Sequence, residues 1–271
     1  MTPYLAIASA RFRTLLQYRG AALAGSGTQL LFGFVRIMVL EAFYRSSSTP
    51  QGFTFAEAVG YIWLGQVTFT MLPYNLDRDV RDQVRTGTLA YELVRPVDLF
   101  LFWYSRALAW RTAPMFLRSL PMLVLAVWLL PALGLPEWGL GAPAGLAAGL
   151  MWALTMVGAV AVSAALTTLM SVSLVWTISG EGIVLLLTSV TSLLSGMVVP
   201  LPLFPDWAQP VLSLLPFAAL VDLPARIYTG DIPAALGVWV LLHQLFWTVM
   251  LMGLGRWLLA RSIRRLVIQG G

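Results

Sequence analysis

Residues 144–170 read AGLAAGLMWALTMVGAVAVSAALTTLM, a run without one charged side chain. Wound as a helix at 1.5 Å per residue it is about 40 Å long, more than the roughly 30 Å of hydrocarbon in a bilayer. Lipid is the natural solvent for such a segment. The rest of the chain agrees, because hydrophobic residues make up 59% of the 271 and charged residues 11%. That leaves too little polar surface to cover a soluble globule. The sequence therefore predicts an all-α integral membrane protein, with one transmembrane domain over 1–271.

Working outward from this fourth span, SVSLVWTISGEG at 171–182 reads as a short inner turn leading to a fifth span at 182–199. Toward the N-terminus lie spans at 21–43 and 55–76. A long helix follows from Leu99, whose first half carries Arg106, Arg111 and Arg118 and is expected to snorkel or lie in the cytoplasm. Toward the C-terminus, seven prolines punctuate 200–233, so an outer re-entrant hairpin is expected there rather than a continuous span. A last span at 234–258 leads to a cytoplasmic tail at 259–271. Residues 1–20 mix Leu5, Phe12, Leu15 and Leu16 with Arg11, Arg13 and Arg19, a pattern suited to an interfacial helix. Gly141, Gly145 and Gly149 repeat at four-residue spacing, which predicts close helix packing where span 4 begins.

Charge fixes the orientation. All 17 basic residues are arginine, and eleven of them fall in the N-terminal, 77–98 and C-terminal segments, while the outer loops hold only Arg45 and Arg226. Six spans with both termini in the cytoplasm satisfy this distribution. The same clustering beside apolar spans explains the net charge of +5 by attraction to membrane lipid headgroups and argues against nucleic acid as a partner. With no cysteine and one histidine, disulfides and the usual His/Cys metal sites are excluded. A P-loop needs GxxxxGK[ST], and the chain has no lysine, so any ATP hydrolysis coupled to it belongs to another polypeptide. Nor does a Ser/His intramembrane enzyme fit, since the closest string to serve with His243, TISG at 177–180, lacks the first glycine of a GxSG pattern.

The polar segment DRDVRDQVRTGTLAYELVRPVD, 77–98, is the richest in candidate function. Asp77 with Arg81, and Arg78 with Asp82, stand i,i+4 and are expected to pair along a short helix whose other face carries Val80 and Val84. Asp79 and Arg85 belong to the same helix, and Gly87 is its expected stop. A second apolar piece containing Glu92 runs to Arg95, where Pro96 discourages further helix. A mixed-charge helical knob of this size reads as a docking surface.

Charges within or beside the spans are candidates for a translocation path or for interhelical pairing: Arg36 and Glu41 in span 1, Glu181 at the inner end of span 5, and His243 in span 6. Arg36 and Glu41 are five apart, poor spacing for a mutual pair, so each is expected to face another element. Asp222 and Arg226 stand i,i+4 in the outer hairpin, as a structural pair or a candidate outer gate. A proton-coupled secondary transporter using His243 and Glu181 is the alternative from residues alone.

GTLAYELVRPVDLFLFWYSRALAWR at 87–111, together with LLSGMVVPLPLFPDWAQPVLSLLPFAALVDLPARIYTGD at 193–231, resembles the ABC-2 type transporter permeases, over nearly the whole chain. The likeness is nearest to permeases of about 260 residues that work as paired subunits with a separate ATPase. It implies six spans, an interfacial N-terminal helix, a cytoplasmic coupling helix pressing into an ATPase groove, and export of a hydrophobic or amphipathic compound across a prokaryotic cytoplasmic membrane. It implies as partners two copies of a P-loop ATPase, and a second permease, related or identical. ATP and magnesium would then bind the ATPase, with no cofactor in this chain.

Overall fold

The computed structural model describes residues 3–46, 54–177 and 181–264, except for the side chain of Glu181, and among these all regular structure is helical. Helix α1, Pro3–Leu15, is followed after a short turn by α2, Arg19–Ser46. Helix α3, Phe55–Thr68, opens on a capping box: the Glu57 amide donates to the Thr54 hydroxyl, and the Thr54 amide donates to the Glu57 carboxylate at 2.6 Å. One further turn, Phe69–Met71, ends this element earlier than the expected span to 76. Pro73 is the reason, since it forces Leu72 into an extended conformation (φ −64°, ψ 145°).

Two short helices follow, α4 (Arg78–Thr86) and α5 (Leu89–Leu93). Helix α6, Leu99–Val124, begins on an Asp98 cap and continues through a π turn, Leu125–Leu129, into α7, Leu130–Ala132. This is the single long helix expected from Leu99. In the π turn the Leu130 amide reaches back to the Leu125 carbonyl, and the Ala126 carbonyl accepts from Leu140 at 2.9 Å instead.

Helix α8, Leu146–Thr177, outruns the expected span to 170, since 171–177 carries no proline or glycine. Helix α9, Glu181–Leu194, stops short of the expected 199, where Gly196 turns the chain at φ 82°. The proline-rich region forms α10 (Gln209–Leu214) and α11 (Asp222–Thr229), neither long enough to span, and α12 (Gly237–Ile263) completes the chain. Four elements, Arg19–Ser46, Leu99–Ala132, Leu146–Thr177 and Ala234–Ile263, are long and apolar enough to cross a membrane. The chain is a multi-pass membrane protein.

Helix α8 is the centre of the bundle, packed against α6, α11 and α12. Small residues allow the approach: Ala159, Ala164 and Ala165 are fully buried, and a Cβ on Gly158 would collide with Gln244 of α12. Gln244 is itself buried and donates to the carbonyls of Thr155 and Ala219 at 2.9 and 3.0 Å. The expected glycine seam at 141–149 is different: nothing lies within 4 Å of a Cβ at Gly141 or Gly145, and at Gly149 only Pro143 does. Close helix packing instead uses Gly158, Gly237 and Gly255, which meet Gln244, Met151 and Phe100. The outer faces of α2, α8 and α12 expose Phe32, Met38, Leu154, Leu245 and Val249, as lipid or another subunit requires.

Candidate functional site

The 77–98 segment forms a knob with a clamped base and an exposed tip. Asp77 caps α4, accepting from the Asp79 amide at 3.1 Å, and Gly87 ends the helix at φ 73°. Val80 and Leu76 are buried among Phe100, Trp103, Met170 and Leu174, which seats α4 against α6 and α8. Asp77 is buried and accepts two bonds from Arg106 of α6, at 2.7 and 3.0 Å, and one from Arg11 of α1, at 3.3 Å. Asp79 joins the same cluster, its carboxylate 2.5 Å from Arg106 and 3.1 Å from Arg11. Burial works to raise the Asp79 pKa, but the two guanidiniums outweigh it and hold the group below the usual carboxylate range.

This replaces the expected pairing along α4. Asp77 serves Arg11 and Arg106 rather than Arg81, and among the described residues no ion pair joins Arg78 to Asp82. Arg81 is half-buried, with its Nε lacking a hydrogen-bond partner. Glu92, expected on the docking surface, is buried: it accepts from Gln83 at 3.2 Å and meets Arg95 at 3.0 Å, tying α5 to α4.

The exposed tip consists of Arg78, Asp82, Arg85 and Arg95 with Tyr91, Leu93 and Val94. Tyr91 is 73% and Val94 82% exposed, and both were missed as site residues because LAYELV reads as an inward apolar run. Their three-residue spacing was the available signal, placing both on one helix face opposite Leu89 and Glu92.

Arg111 was also missed, having been expected in the snorkelling half of its helix. It is buried and donates to Thr167 of α8 (2.9 Å), to the Leu72 carbonyl (2.9 Å), and to the Asn75 side chain and carbonyl (3.1 and 2.7 Å). It thus fixes the stretch of chain between α3 and α4 to the bundle, with no carboxylate partner among the described residues.

The charges nearer the other end separate. Arg36 and Glu41 do not meet, as their spacing predicts: Arg36 of α2 donates to the Met197 carbonyl beyond α9, while Glu41, expected to face another element, pairs instead with Arg45 on its own helix at 2.6 Å. Asp222 is fully buried, accepts from Tyr61 of α3 at 2.8 Å, and lies 3.5 Å from Arg226, which also pairs with Asp231. Helix α11 is thereby pinned to α3. Nε2 of His243 lies 3.1 Å from the Leu214 carbonyl of α10, which also accepts from Trp247 at 2.9 Å. The side chain of Glu181 lies outside the described residues. Among the described residues no group of His, Cys, Asp and Glu could hold a metal ion.

No curated protein and no solved structure matches the chain significantly. Its residues 30–270 match the family model described as ABC-2 family transporter protein, and the chain belongs to that family.

Proposed function

We propose that this chain is the permease subunit through which a separate P-loop ATPase drives export of a hydrophobic or amphipathic molecule by alternating access. Membership of the ABC-2 family implies an ATP-binding subunit as partner, and the family's permeases are not themselves ATPases. The observation that carries the reading is the α4–α5 knob: a tip of arginines, Asp82 and exposed Tyr91 and Val94, on a base bonded to α1 and α6. A tip of that composition suits a protein groove, since aromatic and arginine side chains anchor interfaces. Its rigid base suits transmission of the ATPase's opening and closing into the bundle.

In this reading six segments, α2, α3, α6, α8, α9 and α12, cross a prokaryotic cytoplasmic membrane, with both termini inside. Helices α3 and α9 have 14 residues each, and the irregular stretches that follow them complete the crossing. Helix α1 lies at the cytoplasmic interface, and α10 and α11 form the outer hairpin. Two ATPase copies bind ATP and magnesium, and a second permease, related or identical, completes the assembly. Asp222 and Arg226 hold the outer hairpin's shape.

The test is purification in mild detergent from native membranes, with mass spectrometry and an ATPase assay of what accompanies the chain. A stoichiometric P-loop ATPase is expected. Transport by the chain alone, in ATP-free vesicles under a pH gradient, would overturn the reading in favour of proton coupling.

A further inference from the structure

Arg36 occupies an unusual position. It lies ten residues before the end of α2 at Ser46, about 15 Å along the helix axis, so in the topology proposed above it sits well inside the outer half of the bilayer. A charge at that depth is costly unless it is compensated. A guanidinium carries five N–H donors. Among the described residues Arg36 has one acceptor, the Met197 carbonyl, and no carboxylate within 4.0 Å. Glu41, five residues on, is engaged with Arg45, and Asp222 is engaged with Tyr61 and Arg226.

The same guanidinium lines a cavity of about 270 Å³ between α2, α3 and the stretch after α9. Its other walls are apolar, including Val39, Ile62, Val199 and Leu203. The volume is near the lower end for small-molecule sites and accommodates an anionic group with the first part of an aliphatic chain. The bond to the Met197 carbonyl holds the side chain against the stretch after α9.

We infer that this cavity receives the anionic end of the transported molecule, so that the cargo is an aliphatic or otherwise apolar compound bearing a carboxylate or phosphate. The inference rests on the permease reading above and deepens it. An anion at this depth satisfies the donors that the protein leaves open, and the apolar walls take the adjoining chain. A phospholipid in its ordinary place carries its phosphate in the headgroup plane, above the cavity. Cargo crossing the bilayer passes the depth of Arg36.

The test uses the full chain in phosphatidylcholine nanodiscs and a dodecanoic acid bearing a photoreactive diazirine on its chain, with the methyl ester as neutral control. After irradiation, mass spectrometry maps the labelled residues. The acid is expected to label 35–40 and 196–203 at least tenfold more than the ester, with the difference lost in Arg36→Gln and kept in Arg36→Lys. Equal labelling by acid and ester overturns the inference, and so does an unchanged difference in Arg36→Gln. Suppression of the label by phosphatidylglycerol doped into the nanodisc also overturns it, because a membrane lipid is then the occupant. The acid-to-ester ratio of the unsubstituted protein decides the matter even if Arg36→Gln does not fold. Labelling needs no ATPase, so its failure leaves the docking role of the knob to the co-purification test, and failure of that test leaves the labelling result standing.

Discussion

Truncation of Tyr91 to alanine is the most direct challenge to the docking role of the knob. Tyr91 is 73% exposed, and its neighbour Val94 is more so. A buried aromatic residue removes 150–250 Å² from water, so seating this one in a partner's groove would bury roughly a further 110–180 Å². At about 25 cal/mol/Å² that area corresponds to about 3–4.5 kcal/mol, an upper bound on the contact. The alanine Cβ retains some of the contact, and ordering the free side chain has a cost, which leaves about 2 kcal/mol, or roughly thirtyfold in affinity. The assay is titration of the purified ATPase onto nanodisc-held permease, read by light scattering or interferometry. Tyr91 belongs to none of the buried clusters among the described residues, so the melting temperature of Tyr91→Ala should match that of the parent. Affinity within threefold of the parent, in a variant of unchanged stability, would refute the placement of the docking face.

Asp77→Ala removes the α4 cap and the shared acceptor of Arg11 and Arg106, and should cost about 3 kcal/mol, whereas Asp79→Ala, at a half-exposed carboxylate, should cost under about 1 kcal/mol; thermal unfolding in detergent ranks them. Gly158→Ala drives a methyl into Gln244, which is held by two carbonyls, and should cost about 1–3 kcal/mol; the double variant with Gln244→Ala should be less destabilised than the sum of the singles. Because the folded pKa of Asp79 is depressed, its contribution is fully present above the unfolded value of about 3.9 and is lost as pH falls through the lower folded value. Protection of α1 from proteolysis should therefore be constant from pH 8 to pH 5 and weaken only at more acid values.

What the sequence made legible was whatever depends on neighbours in the chain. Apolar length located α2, α6, α8 and α12, and Gly87 marked the end of α4 through its freedom at positive φ. The i,i+4 rule found Asp222 with Arg226, but it assigned Asp77 to Arg81 because it considers only one helix face. The actual partners stand 66 and 29 residues away, and their approach depends on α1 packing along α6, which no local pattern encodes. Glu92 was misread for a related reason. A carboxylate in a polar loop defaults to solvent, and only the fold of α5 back onto Gln83 buries it. Arg111 shows the same limit from the other side, because a cation satisfied by backbone carbonyls has no signature in composition.

The π turn in α6 amounts to one surplus residue wound into an otherwise regular helix. Its effect is positional: the turn frees the Ala126 carbonyl for the loop amide of Leu140, so the winding that leads into Leu130–Ala132 and the anchorage of the following loop are decided together. Excising a single residue from 125–129 would restore ordinary winding, leave Leu130–Ala132 near their present angular setting and close the Ala126 carbonyl to the loop. Insertions and deletions here should thus be far less tolerable than substitutions, because the segment stores its information in length rather than in side chains.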